Sequence, residues 1–551
     1  MSKRKWQRVL GLLLCIMMFA SLVGCGDQNK ETTAAPTDKG TEAPGTEAPG
    51  TDAPGTDAPT EAAGITYPLE TDIELSLWAT TVLKYKSAFS SADESPFHVG
   101  LSKNTGVKIN WQFPQDGVSS GQAYNLMITS ETLPDLIHYT VDAGAAEGYI
   151  NDGLIWDLTD YLPEYAPDYW EWVNSDDALR RAATTASGKY HMIAGGQEDH
   201  AFITYQGLAL RKDWLDECKL EIPVTLDDWE KVLTTFKEKY GATFSGPKLG
   251  FGMSGTGAYA DKSPAWYIND KDEVVFANST DEYKAFLERM NKWYKTGLMD
   301  PDIFTNDNTA IRNKCANNEV GAMYIGSGTY RNILADAETN GAVWVSVPHP
   351  VTKEGEKVTW IQTAREIGGG YGTMVSKSCS EEELKVALQL LNYAFTEEGM
   401  LYWNLGDEGV SYTVTNGEYA WTDLITKAEV GANTAYTYYV GTSSNSPAIK
   451  SVALQKLLNK GEALNAIYQW TANSVAAEHY MPKLTLAEAK HTQYWDKFGS
   501  IYTYVEESVS KFIIGEMDLA NWDDYLKTLD DMGIKECHEI QKEAYELWLK
   551  K

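Results

Sequence analysis

Two neighbouring acids are the residues of this sequence that come nearest to a catalytic pair. Glu198 and Asp199 lie side by side in the stretch GGQEDH. A glycoside hydrolase needs two carboxyl groups that face each other across a cleft, about 5 to 10 Å apart. Neighbouring positions in a sequence cannot show that geometry. We therefore assign no catalytic residue and expect a protein that is not an enzyme, with a surface glycoside hydrolase or lyase as the alternative.

The glycine-rich stretch GFGMSG, residues 250–255, matches the G-x-G-x-x-G pattern of dinucleotide-binding loops. A nucleotide site needs this pattern between a strand and a helix, so that the N-terminus of the helix meets the phosphates. The flanking stretches SGPKL and TGAYADKSPAW predict neither element. The sequence has no P-loop, no H-E-x-x-H and no G-x-S-x-G motif, and its eight histidines are not spaced as metal ligands. We predict no cofactor and no metal ion.

Aromatic residues are the more informative group. The sequence contains 18 tryptophans and 32 tyrosines, and some of them must fill the core. Aromatic rings are also how proteins hold sugars, because the apolar face of a pyranose stacks on the ring while its hydroxyls reach carboxylates and amides. The composition is therefore compatible with a sugar-binding protein.

The elements that would position such rings follow from hydrophobic spacing and helix-end signals. Leu75 and Leu77 alternate with polar residues in TDIELSLWA, GVKINWQF alternates likewise, and LPDLIHYT is a short apolar run. All three predict strands. Thr225 with Asp228 three residues later, and Ser380 followed by three glutamates, predict helix N-termini. Strands that alternate with helices indicate an α/β protein, and the last hundred residues predict mainly helices.

The N-terminal 64 residues predict an export signal and a tether. Four basic residues precede an apolar run from Leu10 to Val23, which is too short for a lasting transmembrane helix. Leu22-Val23-Gly24-Cys25 resembles the bacterial lipobox, which implies cleavage after residue 24 and a lipid on Cys25. Within residues 31–64 the unit T-[ED]-A-P-G recurs with a period of five, and this composition cannot build a core. We predict a signal peptide at 1–24 and a disordered, lipidated tether at 25–64.

Charge and cysteine content restrict the partners. The net charge is −31, and the first 24 residues carry four basic and no acidic side chains, which leaves −35 for the remainder. Such a surface repels nucleic acid and anionic lipid, so we expect no nucleic-acid partner and membrane contact only through the N-terminal lipid. Four cysteines remain in the folded part, without a C-x-x-C pair. Their contexts favour buried thiols, although the sequence leaves their pairing open: Cys218, Cys315, Cys379 and Cys537.

From about residue 66 onward the chain resembles the extracellular solute-binding proteins of bacterial ABC importers, and in particular the LipO-like carbohydrate-binding lipoproteins. The order and spacing of the similar stretches extend over almost all of the folded part. These stretches are LPDLIHYT, GLIWDLTDYLPEYAPDYW, GKYHMIAGG, GLALRKDWLDECKLEIPVTLDDWEKVLTTFKEK, NNEVGAMYIGS and NLGDEGVSYTVTNG.

The resemblance implies a two-lobed fold of the type II periplasmic-binding-protein class, with a hinge of several crossings and a helical C-terminal part. It implies a first α/β lobe formed by residues 65–195 and about 366–411. The second lobe and the C-terminal helices would then comprise residues 196–365 and about 412–551. In this family the ligand is trapped between the lobes as they close.

The ligand contacts that the resemblance implies lie in loops at strand ends, at the two crossings and beside the glycine-rich loop. The crossing at GGQEDH supplies hydrogen-bond acceptors to the ligand in this family. The predicted ligand-binding residues are Trp78, Tyr139, Gln197, Glu198, Asp199, Trp266, Tyr267, Tyr324, Arg365, Glu366 and Tyr371.

One stretch departs from the pattern of maltose-binding relatives, which often place a tryptophan shortly after the Ala-Met strand. Here the sequence is MYIGSGTYRN, with glycines at 326 and 328. Stacking on a sugar would have to come from Tyr324, from Tyr330 or from elsewhere, so a maltose-like pocket is not supported.

The sequence as a whole therefore predicts a monomeric, lipid-anchored receptor on the outer face of the cell membrane, which passes a carbohydrate to the transmembrane subunits of an ABC permease. A surface sensor or adhesin without a role in transport is a further alternative. The sequence does not specify the sugar, its linkage or its length, does not exclude a peptide ligand, and leaves bound calcium open.

Overall fold

The computed structural model of the chain describes residues 64–80, 88–115, 117–130, 132–141, 143–198, 204–247, 265–358, 371–441, 446–474, 481–482, 484, 486 and 488–550. Within these residues strands alternate with helices, and the C-terminal part is helical. The predicted α/β class is confirmed. The predicted signal peptide, Cys25, the tether and the GFGMSG stretch lie outside the described residues.

The strands, in chain order, are β1 (Glu74–Ala79), β2 (Lys108–Gln112), β3 (Leu136–Thr140), β4 (Gln206–Arg211), β5 (Thr243–Ser245), β6 (Trp266–Ile268), β7 (Val274–Phe276), β8 (Val320–Gly326), β9 (Trp344–Val347), β10 (Tyr371–Val375), β11 (Tyr412–Thr415) and β12 (Glu418–Trp421). Strands β1, β2 and β3 lie in the three stretches for which the sequence predicts strands.

The helices, in chain order, are α1 (Pro96–Thr105), α2 (Ser120–Ile128), α3 (Ala143–Asn151), α4 (Leu162–Tyr165), α5 (Pro167–Asn174), α6 (Asp177–Ala183), α7 (Lys212–Cys218), α8 (Leu226–Tyr240), α9 (Asp281–Lys295), α10 (Asn308–Ala316), α11 (Ser327–Asn340), α12 (Glu381–Asn392), α13 (Glu397–Leu405), α14 (Asp423–Thr426), α15 (Ala432–Ala435), α16 (Val452–Leu458), α17 (Glu462–Thr471), α18 (Glu488–Ile514), α19 (Trp522–Asp531) and α20 (Ile534–Trp548).

The first lobe is built on a sheet with the strand order β10-β3-β1-β2. Strand β1 pairs in parallel with β2 and with β3, whereas β10 runs antiparallel to β3. Because β10 runs antiparallel to β3, its first residue, Tyr371, pairs with Thr140 at the C-terminal end of β3. The ends of β1 and β3 and the start of β10 therefore share one edge of the sheet.

The second lobe is built on a sheet with the strand order β5-β8-β4-β9. Strand β5 is parallel to β8, and β4 runs antiparallel to both β8 and β9. Helix α8 packs Trp229 and Phe236 into the core of this lobe, and both side chains are at most 1 % exposed. The last helices belong to the same core, where α18 contributes Ile501 and Val505 and α20 contributes Cys537.

Helix starts follow the capping signals in the sequence. The side chain of Thr225 accepts a hydrogen bond from the backbone of Asp228, whose carboxylate in turn binds the backbone of Thr225. Ser380 and Glu383 form the same reciprocal arrangement at the start of α12. These pairs satisfy backbone N–H groups that would otherwise lack a partner at the start of a helix. Both helices begin directly after the predicted capping residues, so both predicted helix starts are confirmed.

Along the described residues the chain passes between the lobes three times. Residues after Ile193, which bridges to Thr373 of β10, lead to β4 in the second lobe. The segment between β9 and β10 returns to the first lobe. The third passage follows Ala448, a residue of the first core, and ends in helix α17. The two-lobed fold with a hinge of several crossings is therefore established, while the lobe boundaries stated above stay a prediction.

The four cysteines of the folded part are free thiols: Cys315, Cys379 and Cys537 are buried, and Cys218 is half-buried. Burial raises the pKa of the Cys315 thiol to about 12, so this group stays protonated and packs as a small apolar side chain. Among the described residues no helix is long and apolar enough to span a membrane.

Candidate ligand-binding cleft

Three predicted ligand residues meet at the shared edge of the first-lobe sheet. Trp78 lies near the end of β1, Tyr139 near the end of β3, and Tyr371 at the start of β10. The ring centroids of Trp78 and Tyr139 are 5.9 Å apart, and those of Tyr139 and Tyr371 are also 5.9 Å apart. The parallel pairing of β1 with β3 and the reversed direction of β10 bring these rings together.

Two tyrosines outside the predicted set of ligand residues, Tyr124 and Tyr149, complete this aromatic cluster. The ring of Tyr124 on α2 stacks on Tyr139 with centroids 4.3 Å apart and lies 6.1 Å from Trp78. The Tyr124 hydroxyl donates to the hydroxyl of Tyr149 on α3 at 3.4 Å. Both helices follow strands of the same sheet, which is the one signal in the sequence that could have indicated them.

The rings of the cluster differ in how far they are buried. Trp78 is 6 % exposed and Tyr139 is 7 % exposed, whereas Tyr371 is half-buried. Burial, with a smaller contribution from Tyr371, raises the pKa of Tyr139 to about 12. The Tyr139 phenol is therefore neutral at physiological pH. In this arrangement Tyr371 is the ring with surface to offer a ligand, and the rings behind it hold it in place.

The first crossing contributes polar groups. The Glu198 carboxylate accepts a hydrogen bond from the backbone N–H of Val452 at 2.6 Å, and the Glu198 backbone N–H donates to Lys450 O at 3.1 Å. Glu198 thus caps helix α16 and ties the first crossing to the third. The Gln197 Oε1 atom is buried without a hydrogen-bond partner among the described residues. Asp199, Arg365 and Glu366 lie outside the described residues.

The predicted ligand residues of the second lobe do not join the aromatic cluster. Trp266 donates from Nε1 to the Tyr494 hydroxyl at 3.0 Å and stacks on His538, so it packs against α18 and α20. Its neighbour Tyr267 is half-buried on the same short strand, β6. Tyr324 has no exposed surface and lies in the core. The structure therefore gives Trp266 and Tyr324 packing partners away from the first-lobe edge.

The described residues of this site offer aromatic rings and hydrogen-bonding groups. The Glu198 carboxylate, one member of the sequence pair considered above, is occupied by a backbone N–H group. Within the described residues no three histidine, cysteine or acidic side chains are grouped so that they could hold a metal ion. The half-buried ring of Tyr371 at the first-lobe edge can stack on the ring of a ligand.

The chain is similar to several characterised proteins. It is 22 % identical over 483 residues to lipoprotein LipO of Bacillus subtilis, a match that covers 83 % of this chain and 90 % of LipO. It is 22 % identical over 460 residues to the polygalacturonan/rhamnogalacturonan-binding protein YtcQ of the same organism, covering 80 % of this chain and 86 % of YtcQ.

An HMO-binding, ABC-transporter-associated solute-binding protein of Bifidobacterium longum infantis has the same fold. The two structures superpose with a TM-score of 0.69 at 18 % identity, over 87 % of this chain and 99 % of the other. Residues 88–401 match the family model of bacterial extracellular solute-binding proteins, which is more than half of the chain. This protein belongs to the family of bacterial extracellular solute-binding proteins.

Proposed function

We propose that this protein is a lipid-anchored receptor that captures an oligosaccharide between its two lobes and delivers it unchanged to an ABC importer. The observation that carries this proposal is the aromatic cluster of Trp78, Tyr139 and Tyr371, which lies at the edge of the first-lobe sheet where the chain starts to cross. A half-buried ring supported by buried rings loses little conformational entropy when a sugar stacks on it.

The relatives support a carbohydrate ligand, since YtcQ is named for polygalacturonan and rhamnogalacturonan. The first crossing adds a further hydrogen-bonding group, the Gln197 Oε1 atom, which is buried and has no partner among the described residues. Lobe closure over a stacked sugar and several hydrogen bonds gives micromolar affinity at about −8 kcal/mol. The ligand leaves intact because binding and closure include no chemical step.

The proposal is tested by thermal unfolding of the protein with a panel of neutral and acidic oligosaccharides. A true ligand at 100 times its dissociation constant is expected to add about 2.7 kcal/mol of stability. Tyr371→Ala is expected to weaken binding of that ligand about tenfold, because it removes one stacking contact worth about 1.4 kcal/mol. Tyr371→Phe, which keeps the ring, should bind nearly as well as the wild type.

Mass spectrometry of the ligand after incubation separates this receptor from its rivals. Shortening of the oligosaccharide in proportion to protein and time would identify a hydrolase or lyase instead. If no carbohydrate of the panel stabilises the protein, the carbohydrate assignment is wrong. If Tyr371→Ala and the wild type bind the ligand with equal affinity, Tyr371 is not part of the binding site.

Membrane attachment is tested with Cys25→Ser. Without the thiol no lipid can be added, so we expect the variant to leave the membrane fraction or to remain unprocessed. Detergent partitioning and the mass of the N-terminal peptide measure both outcomes. Cys218→Ser is the matched control, because that cysteine belongs to the folded part and its loss should leave fractionation unchanged. Normal processing and membrane fractionation of Cys25→Ser would contradict the lipid anchor.

A further inference from the structure

Helix α11 begins at the edge of the second-lobe sheet that meets the first crossing. Its first residue follows directly on β8, and the Ser327 N–H donates to Tyr205 O, at the end of the crossing, at 2.7 Å. No side chain caps this N-terminus. The first turn of a helix leaves N–H groups open and carries a partial positive charge, so this turn favours a negatively charged group.

The guanidinium of Arg331 folds back over the same turn. Its Nη2 atom lies 3.9 Å from the point where a Cβ at Gly328 would be. Its Nη1 atom donates to Leu458 O at 3.3 Å and to Asn459 Oδ1 at 3.2 Å, which are both neutral acceptors. Its Nε atom is buried and has no acceptor among the described residues.

Arg331 differs from the other arginines that the structure describes, because each of those forms a salt bridge with an aspartate. The five pairs are Arg180–Asp177, Arg181–Asp177, Arg211–Asp213, Arg289–Asp227 and Arg312–Asp336. Arg331 is half-buried and has only the two neutral acceptors. In a chain of net charge −31, acids are abundant, yet none lies against this cation in the described part. Buried charges are normally paired, whereas Arg331 has no acidic partner among the described residues.

A second unpartnered group lies close by in the chain. Thr204 immediately precedes Tyr205, whose carbonyl accepts the Ser327 N–H. Its side chain is 1 % exposed, and its Oγ has no partner within the described residues. A buried hydroxyl without a hydrogen-bond partner destabilises the folded state. Glycines at 326 and 328 leave the start of α11 uncrowded, since a Cβ at either position would have no contact shorter than 3.7 Å outside its own helix and chain neighbours.

We infer that the first turn of α11, with Arg331 and Thr204, forms a subsite for the carboxylate of an acidic sugar. Arg331 would donate two parallel hydrogen bonds to the carboxylate, while the Thr204 hydroxyl and the open N–H groups of the turn add further donors. The ligand class is then an oligosaccharide that contains a uronic acid. This inference rests on the proposed function, since it specifies the charge of the ligand that the two lobes enclose.

The first experiment compares uronate trimers with their methyl esters, because esterification removes the charge and keeps the sugar backbone. Titration calorimetry is carried out with trimers of galacturonate, mannuronate, guluronate and glucuronate, with their esters, and with neutral trimers. At least one uronate trimer is expected to bind, and its ester about 10- to 100-fold more weakly, as expected for loss of hydrogen bonds to a charged group.

The second experiment assigns the effect to Arg331. Arg331→Met should reduce the affinity for the uronate trimer to that for its ester and leave binding of the ester unchanged. Arg331→Lys keeps the charge and should recover part of the affinity. Arg312→Met is the matched control, because Arg312 is paired with Asp336 on the surface of the same lobe. If Arg331→Met fails to unfold cooperatively, the lysine variant and the ester comparison decide.

The outcomes separate this inference from the proposed function. Neutral trimers that bind while no uronate trimer does, or uronate binding that Arg331→Met and Arg331→Lys leave unchanged, overturn the acidic subsite and leave the carbohydrate receptor standing. Failure of every saccharide to bind overturns both. A uronate trimer that binds, loses affinity on esterification and depends on Arg331 supports both.

Discussion

Replacing Trp470 with alanine is expected to lower the free energy of unfolding by about 3 to 5 kcal/mol, the usual cost of removing a large aromatic side chain from a core. Trp470 on α17 has no exposed surface. Its Nε1 atom donates to Leu208 O in the central strand β4 at 2.9 Å. The indole therefore fixes the third passage of the chain to the second-lobe sheet, and its replacement leaves a cavity and removes this hydrogen bond.

The packing of Trp470 depends on a glycine. A Cβ at Gly207 would lie 2.2 Å from the indole ring, so Gly207→Ala is also expected to destabilise the protein, through overpacking. Trp470→Phe should cost less than alanine, because it keeps a ring and loses the hydrogen bond. Tyr468→Ala is a surface control on the same helix, since Tyr468 is 43 % exposed. Urea unfolding measures all four variants, and a loss below about 1 kcal/mol for Trp470→Ala would contradict the packing described here.

The parts of the fold that the sequence predicts correctly depend on local signals. The alternation of Leu75 and Leu77 needs only a strand with one face in the core, and both residues are buried in β1. The capping pair of Thr225 and Asp228 is complete within four residues. Such features do not depend on what packs against them, so they can be read without knowledge of the tertiary structure.

The candidate site is less predictable, because burial there depends on distant parts of the chain. Trp266 follows a glycine-rich stretch, which favours exposure, yet its indole N–H binds Tyr494, which is 228 residues away. Tyr324 ends an apolar strand, yet the core of the second lobe covers it completely. Tyr124 joins the first-lobe cluster only because α2 packs across the sheet. The contacts of Trp266 and Tyr324 have no signal in the local sequence, and for Tyr124 the only signal is the place of α2 after a strand of the sheet.

Lowering the pH from 7 to 5 is expected to reduce the free energy of unfolding by about 4 kcal/mol, roughly half of it from each of two buried histidines. His98 and His349 are 3 % and 1 % exposed. Burial disfavours the imidazolium form and lowers the pKa of His98 to about 4 and that of His349 to about 3. In the unfolded chain both groups titrate near pH 6.5.

The sign follows from which state takes up protons first. Below pH 6.5 the two histidines are protonated in the unfolded chain but not in the folded protein. Their contribution to the free energy of unfolding is therefore fully present above pH 6.5. The free energy of unfolding falls by about 1.4 kcal/mol per pH unit and per histidine until the pH reaches the pKa of the folded state.

Urea unfolding of the wild type, His98→Gln, His349→Gln and the double variant at pH 7, 6 and 5 measures this loss. Each single variant should lose about half of the pH dependence and the double variant most of it, because a glutamine side chain does not titrate. A stability that stays constant between pH 7 and 5, or a double variant with the pH dependence of the wild type, would show that these imidazoles are protonated in the folded protein.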